Sequence, residues 1–116
     1  MSMMNLDQAA EAFTLYCKSK GLAVRTLETY SYALQRLRQH LSVNGASPPI
    51  LSPQSLRGFV TEMLEQGAAR GTIRIRMRAI RCFCNFLERE GIVDRSPMKG
   101  VEIPKVPARY PEIITK

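Results

Sequence analysis

The feature of this sequence that most restricts its fold is an apolar stripe with the period of an α-helix. Its members fall within about 80° of one another on a helical wheel: Leu27, Tyr30, Leu34, Leu37 and Leu41. The stripe predicts an amphipathic helix from about Val24 to Val43 that packs against other elements. No segment alternates apolar and polar residues as a half-buried strand does, so we predict an all-α fold.

Three further helices are predicted from apolar periodicity and turn residues. Their limits are about Leu6 to Lys20, Pro53 to Gln66, and Arg70 to Glu90. Gly21, Gly67 and Gly91 are the expected stops, while Ser52 and Pro53 are the expected N-cap and first position of the third helix. The sequence therefore predicts a compact bundle of four main helices.

The same periodicity predicts which side chains are buried. The apolar face of the third helix consists of Leu56, Phe59, Val60, Met63 and Leu64. The main apolar arc of the fourth helix consists of Ile73, Met77, Ile80, Phe83, Cys84 and Leu87. A second strip on that helix consists of Ile75, Ala79, Cys82 and Phe86, which predicts packing on two sides. One set is expected to be buried together: Tyr30, Leu34, Phe59, Ile80 and Phe83.

Two segments are predicted to lie outside the helices. Residues 45–51 contain two prolines and form a loop. Beyond Asp94, prolines recur among few residues able to join a core, at positions 97, 104, 107 and 111. We therefore predict a helical domain over 1–95 and a Pro-rich linker over 96–116, mobile past about Pro104 when no second domain is present.

Composition narrows the possible functions. No apolar stretch approaches the roughly 20 residues of a membrane span, and the N-terminus lacks the features of a signal peptide, so we expect a cytoplasmic protein without membrane contact. Cys17, Cys82 and Cys84 lack the spacing of a zinc site and are interpreted as buried thiols. His40 is interpreted as a solvated or helix-end residue, and no metal or cofactor is expected.

Positive charge is concentrated in one part of the chain. The formal net charge is +7, and residues 70–89 hold six arginines against one glutamate. A local positive field of this kind attracts polyanions and weakens with salt. Nucleic acid is favoured over a membrane surface because the segment lacks the Trp/Phe/Leu face of an interfacial helix.

The arginines of the fourth helix form a row between its apolar strips. Arg70, Arg74, Arg78 and Arg81 lie within about 80° on the wheel, and Asn85 extends the row. A face built only for solubility usually alternates acids with bases, whereas this one contains no acid. Whether two of the arginines contact a nucleic acid remains open. Arg76 falls in the main apolar arc, and Arg81 could equally pair with Glu88 or Glu62.

The order and spacing of several segments resemble a known family. Residues 21–30, Gly-Leu-Ala-Val-Arg-Thr-Leu-Glu-Thr-Tyr, are similar to the start of the second helix in the core-binding, SAM-like domain of tyrosine recombinases and phage integrases. Residues 67–73, 79–87 and 90–92 resemble the family's last helix, with its Thr-Ile start, its Ala-Leu-Arg-x-Phe core and its Glu-Gly stop. Residues 103–115 resemble its interdomain linker. Ala23 and Arg70-Gly71 depart from the usual capping residues, which weakens local caps by about 1 kcal/mol each at most.

The resemblance implies a DNA clamp. In the family this domain holds one side of a recombination half-site, with its second and last helices near the major groove, while a catalytic domain holds the other side. Carried over by position, the implied DNA-binding residues are Arg25, Thr26, Thr29, Tyr32, Arg70, Thr72, Arg74 and Arg78. The implied partners are double-stranded DNA and other recombinase protomers, with no small-molecule ligand. The family's tyrosine nucleophile belongs to the catalytic domain, so this chain alone is not expected to be an enzyme and Tyr110 is not proposed as a nucleophile.

Two alternatives stay open at the level of sequence. A helical protein-interaction module of the death-fold or SAM type also packs four or five short helices and can be basic. It predicts salt-insensitive pairing with an acidic partner and no affinity for duplex DNA. A helix-turn-helix regulator fits less well, because the segments between these helices exceed the three or four residues of that turn.

Overall fold

The computed structural model describes residues 6–43 and 51–104. These residues form four α-helices: α1 (Leu6–Ser19), α2 (Val24–Val43), α3 (Pro53–Glu65) and α4 (Arg70–Arg89). The described residues contain no strand, so the predicted all-α fold is confirmed, and each helix begins and ends within one or two residues of its predicted limits. The loop predicted over 45–51 lies outside the described residues except for Leu51.

Glycines end three of the helices in the same way. Gly21, Gly67 and Gly91 have φ values of 78°, 82° and 76°, which an L side chain rarely adopts. The amide after each glycine donates to the carbonyl five residues earlier, as Leu22 does to Cys17 at 3.4 Å. This is the Schellman arrangement, which satisfies carbonyls that the helix leaves without a partner.

The helices pack as a central pair with two flanking helices. α2 and α4 contact each other, and each also contacts both α1 and α3, which do not contact one another. Two core clusters result. One joins α2, α3 and α4 and contains Phe59 and Ile80. The other joins α1, α2 and α4 and contains Leu34 and Phe83, with Tyr30 partly buried against it. The prediction that these five residues share one cluster was wrong, because α1 and α3 cover different parts of the central pair.

Some residues of the predicted apolar faces are exposed. The main arc of α4 is buried as predicted, but of its second strip only Ala79 and Phe86 are buried. Ile75 is 56% exposed and Cys82 is exposed, so the interpretation of all three cysteines as buried thiols was wrong for Cys82. On α3, Leu64 is 40% exposed. These side chains lie at the edges of helix contacts, where a helical wheel gives direction but not the extent of the neighbouring helix.

His40 lies in the last turn of α2, so the helix-end interpretation is confirmed, but the residue is not solvated. Its side chain is only 10% exposed, it contacts the carboxylate of Glu62, and its ring lies 5.5 Å from that of Phe59. His40 therefore joins α2 to α3. The solvated alternative was wrong because the position of His40 on its own helix does not show that α3 covers it.

The segment after α4 packs on the core rather than extending as a linker. Met98 and Val101 are each 5% exposed and belong to the cluster formed with α3. The Ser96 amide donates to Glu88 Oε1 at 3.2 Å, and Arg57 Nη2 donates to the Gly100 carbonyl at 3.3 Å. The expectation of few apolar contacts past Asp94 was wrong for 96–103. The prediction relied on the prolines and overlooked the apolar residues at positions 98, 101 and 103. The mobility predicted past Pro104 concerns residues outside the described part of the chain.

Among the described residues, none of the helices has the length and apolar character needed to cross a bilayer.

Candidate nucleic-acid interface

The predicted binding residues lie on the two central helices. Arg25, Thr26, Thr29 and Tyr32 occupy the first half of α2, and Arg70, Thr72, Arg74 and Arg78 occupy the first half of α4. Three of them line one cleft between these helices, namely Thr29, Tyr32 and Thr72. The other five are outside the lining of this cleft. The structure thus brings residues of both predicted segments together, and their contact with DNA stays a prediction.

The predicted residues in the first half of α2 are three that carry hydroxyl groups and one cation, Arg25. Arg25 is exposed and Thr26 is partly buried. The hydroxyl of Thr29 donates to the Arg25 carbonyl at 3.0 Å, so its proton is held within the helix. Tyr32 is 49% exposed and lines the cleft, so its phenol is accessible to a ligand.

The arginine row of α4 carries uncompensated charge. Arg70, Arg78 and Arg81 are exposed and Arg74 is partly buried. Within the described residues the ion pairs are Arg38 with Asp7 and His40 with Glu62, and neither involves α4. Glu88, the other acid considered as a partner for Arg81, accepts from the Ser96 amide instead. The row therefore projects positive charge into solvent.

Arg76 lies outside the row and is held by neighbouring side chains. Its guanidinium carbon lies 5.1 Å from the centre of the Tyr32 ring, and Nη1 lies 3.7 Å from the sulfur of Met63. The side chain thus extends from α4 to α2 and α3, and a cation–π contact holds it against the tyrosine. Arg76 fixes the position of Tyr32 at the cleft.

A second cationic group, which the sequence analysis did not single out, lies at the other end of α4. Lys20 Nζ and Arg89 Cζ lie 5.0 and 5.4 Å from the centre of the Tyr16 ring, and Arg89 Nη2 donates to the tyrosine hydroxyl at 2.8 Å. Arg89 continues the row at the spacing of Arg81 and Asn85, so the four-residue period contained a signal for it. The contribution of Lys20 required the tertiary structure.

Two groups near this surface, the Tyr30 phenol and the Cys84 thiol, are poor nucleophiles at neutral pH. A hydrogen bond to Cys82, at 3.6 Å, and burial raise the pKa of Tyr30 to about 12. Burial raises the pKa of the Cys84 thiol to about 12 as well. Groups that stay protonated in this way do not attack phosphorus or carbon. Neither of these two groups is a candidate for nucleophilic chemistry.

These features define a small helical domain with concentrated positive charge on α4 and a polar and apolar cleft between α2 and α4. The chain belongs to the family described as phage integrase, N-terminal SAM-like domain, which matches residues 10–91. The resemblance predicted from the sequence is thereby confirmed.

Curated relatives are recombinases much longer than this chain. The chain is 31% identical over 113 residues to tyrosine recombinase XerC of Methylobacterium nodulans, covering 92% of this chain and 35% of that protein. It is 29% identical over 114 residues to tyrosine recombinase XerC of Bacillus subtilis, covering 97% and 38%. It is 33% identical over 102 residues to tyrosine recombinase XerD of Haemophilus influenzae, covering 87% and 34%. The chain thus spans little more than a third of the relatives it matches, and no solved structure matches it.

Proposed function

We propose that this chain is the DNA-binding domain of a site-specific tyrosine recombinase and that α2 and α4 hold duplex DNA at recombination half-sites in the cytoplasm. The observation that carries the proposal is the acid-free arginine row of α4, the helix that also shares a cleft with the hydroxyl-bearing half of α2. Membership of the integrase N-terminal family supports the same assignment.

The side chains have distinct tasks in this account. Arg25, Arg70, Arg74 and Arg78 bind phosphates, or the O6/N7 edge of guanine, through their planar forks. Thr26, Thr72 and Tyr32 fix the register of the domain by contacts to the backbone. Arg76 holds Tyr32 in place. The domain contributes binding and position, while DNA breakage and rejoining belong to a catalytic domain of the parent recombinase, whose protomers assemble on DNA.

The proposal is tested by titrating the 116-residue chain into random-sequence duplex DNA at several salt concentrations. Each neutralised phosphate contributes about 0.9 to the slope of log K against log salt, so four phosphate-bound arginines predict a slope of about −3 to −4. Binding should be weak, because the other half of the clamp and the effective concentration it supplies are missing.

The protein-interaction alternative makes the opposite prediction. A chain that pairs with an acidic polypeptide, such as polyglutamate, but leaves duplex DNA unbound at low salt would contradict the proposed function. A matched titration with polyglutamate of equal charge therefore belongs in the same experiment.

A further inference from the structure

A pocket formed by α1, α2 and the end of α4 combines two cations with an apolar wall. We call it the Tyr16 pocket, after the ring that Lys20 and Arg89 both contact. It has a volume of about 260 Å³, and its wall includes Phe13 and Leu22. None of the described residues that line it is acidic, whereas the cleft between α2 and α4 contains a carboxylate beside its cation.

The cations of this pocket are accessible to an anion. Lys20 and Arg89 are exposed, and neither belongs to the two ion pairs found in the described part of the chain. Glu90 follows Arg89 in the chain but does not line the pocket. Arg89 Nη2 donates to the Tyr16 hydroxyl at 2.8 Å, so the other guanidinium N–H groups and the hydroxyl proton can donate to a ligand. Donors of this kind match a carboxylate.

The size and the apolar wall of the pocket restrict the ligand further. Its volume is below the roughly 300–1,000 Å³ of sites for cofactors and drug-sized ligands, so it suits one or two side chains. A DNA phosphate brings no apolar group, and a nucleobase could stack on Tyr16 only by displacing a side chain already against its ring. A carboxylate side chain beside an apolar one matches both parts of the pocket. The amide of Asn85, which also lines the pocket, can donate to and accept from a peptide backbone.

We propose that the Tyr16 pocket binds an acidic segment of a partner polypeptide. A glutamate or aspartate of that segment places its carboxylate between Lys20 and Arg89, and a neighbouring apolar side chain packs against the apolar wall. None of the eight residues assigned to DNA binding lines this pocket, so the inference does not depend on the proposed function.

The probe is the peptide acetyl-Glu-Phe-amide, titrated into the isotope-labelled 116-residue chain and followed by the chemical shifts of backbone amides. Acetyl-Gln-Phe-amide lacks the charge and acetyl-Glu-Ala-amide lacks the aromatic ring, so these two peptides are the controls. The wild type should show saturable shifts at Lys20, Leu22 and Asn85. Each control peptide should bind about tenfold more weakly, the effect of losing one charge-assisted hydrogen bond or one buried apolar group.

The thiol of Cys82 provides a second measurement, because it is exposed and lines the same pocket. Acetyl-Glu-Phe-amide at saturation should slow the modification of Cys82 by iodoacetamide, whereas the control peptides at the same concentration should slow it less.

Variants of the chain test the role of the two cations. Lys20→Ala with Arg89→Ala should abolish saturable binding of acetyl-Glu-Phe-amide. Lys18→Ala with Lys99→Ala removes the same charge from exposed positions outside the pocket and should keep that binding. The two double variants should have the same affinity for random duplex DNA.

Four results would overturn the inference. The first is the absence of saturable shifts at the pocket, and the second is equal binding of the Glu-Phe and Gln-Phe peptides. The third is an equal loss in both double variants, which would indicate attraction by net charge alone. The fourth is a loss of duplex affinity confined to the Lys20 and Arg89 variant, which would assign the pocket to nucleic acid. None of these results changes the salt dependence of DNA binding by the wild type, which tests the proposed function separately.

Discussion

Phe83 connects α4 to α1 and the beginning of α2. It is fully buried, and its ring meets that of Phe13 edge to face with centroids 5.4 Å apart. Phe13 also lies 5.4 Å from Phe86 and 5.8 Å from Tyr30, so one aromatic group holds three helices together.

Phe83→Ala should therefore reduce the free energy of unfolding by about 3–5 kcal/mol, through lost burial and the cavity left behind. A loss of this size is a large part of the roughly 5–15 kcal/mol that stabilises a domain. Urea denaturation followed by circular dichroism measures it. Leu64→Ala is the control, since Leu64 is 40% exposed and its loss should have little effect. Equal unfolding midpoints for both variants would contradict the assigned core.

The three cysteines differ in their accessibility. Cys82 is exposed, whereas Cys17 and Cys84 are buried and burial raises the pKa of both thiols. Since the thiolate is the reactive form, iodoacetamide at pH 8 should modify Cys82 first and the other two only as the domain opens. Mass spectrometry of timed samples resolves the three sites. Modification of Cys84 in the native protein at the rate of Cys82 would show that the packing around α4 is misassigned.

At the scale of elements, the helices differ in how they begin. The Ser52 hydroxyl accepts from the Ser55 amide at 3.1 Å, and the Ser55 hydroxyl accepts from the Ser52 amide at 2.9 Å, which forms a capping box on α3. The N-cap of α4 is Ala69, whose side chain makes no capping hydrogen bond. The weak cap predicted at this helix from Arg70-Gly71 agrees with this geometry.

Substitutions at the two N-cap positions should have opposite effects on the stability of the domain. Ser52→Ala should destabilise the domain by about 1 kcal/mol, and Ala69→Ser should stabilise it by a similar amount, because each changes one hydrogen bond to an unsatisfied helix amide. For a domain of this size such changes shift the melting temperature by about 4–8 °C. Thermal melts that move in the same direction for both variants would contradict the capping account.

The limits of the helices were the part of the fold that could best be predicted from the sequence. Gly21, Gly67 and Gly91 end helices through a backbone conformation that depends on local chemistry alone. The burial of Leu64, Ile75 and Cys82 was predicted wrongly, because burial depends on how far a neighbouring helix extends, and no single helix contains that information.

At the scale of the whole molecule, the segment after α4 closes the cluster around α3. Met98 is 5% exposed and packs in the same cluster as Cys84 and Leu56. Met98→Ala should lower the free energy of unfolding by about 2–5 kcal/mol and speed the modification of Cys84. The exposed neighbour Lys99 provides the control, and Lys99→Ala should change neither quantity. If Met98→Ala unfolds at the wild-type urea concentration, residues 96–103 do not contribute to the core.

The candidate site was predictable only in part, because some of its contacts join different helices. The row from Arg70 to Arg81 follows from the register of one helix, which the sequence specifies. The contact of Arg76 with Tyr32 joins α4 to α2, and that of Arg89 with Tyr16 joins α4 to α1. Contacts of this kind depend on how helices cross, so the cleft and the second cationic group emerged only from the assembled domain.

The central claim is that duplex DNA binds the face formed by α2 and α4, and one comparison of variants tests it most directly. Arg74→Ala with Arg78→Ala removes two charges from this face, and Lys18→Ala with Lys99→Ala removes two from exposed positions on α1 and the C-terminal segment. Binding of each folded chain to random duplex DNA is measured across a range of salt concentrations. The account predicts that the arginine variant binds more weakly and that its slope of log K against log salt is smaller by about 1.8, which corresponds to two phosphates, while the lysine variant stays close to the wild type. Wild-type affinity and slope in the arginine variant, or equal losses in both variants, would contradict the account.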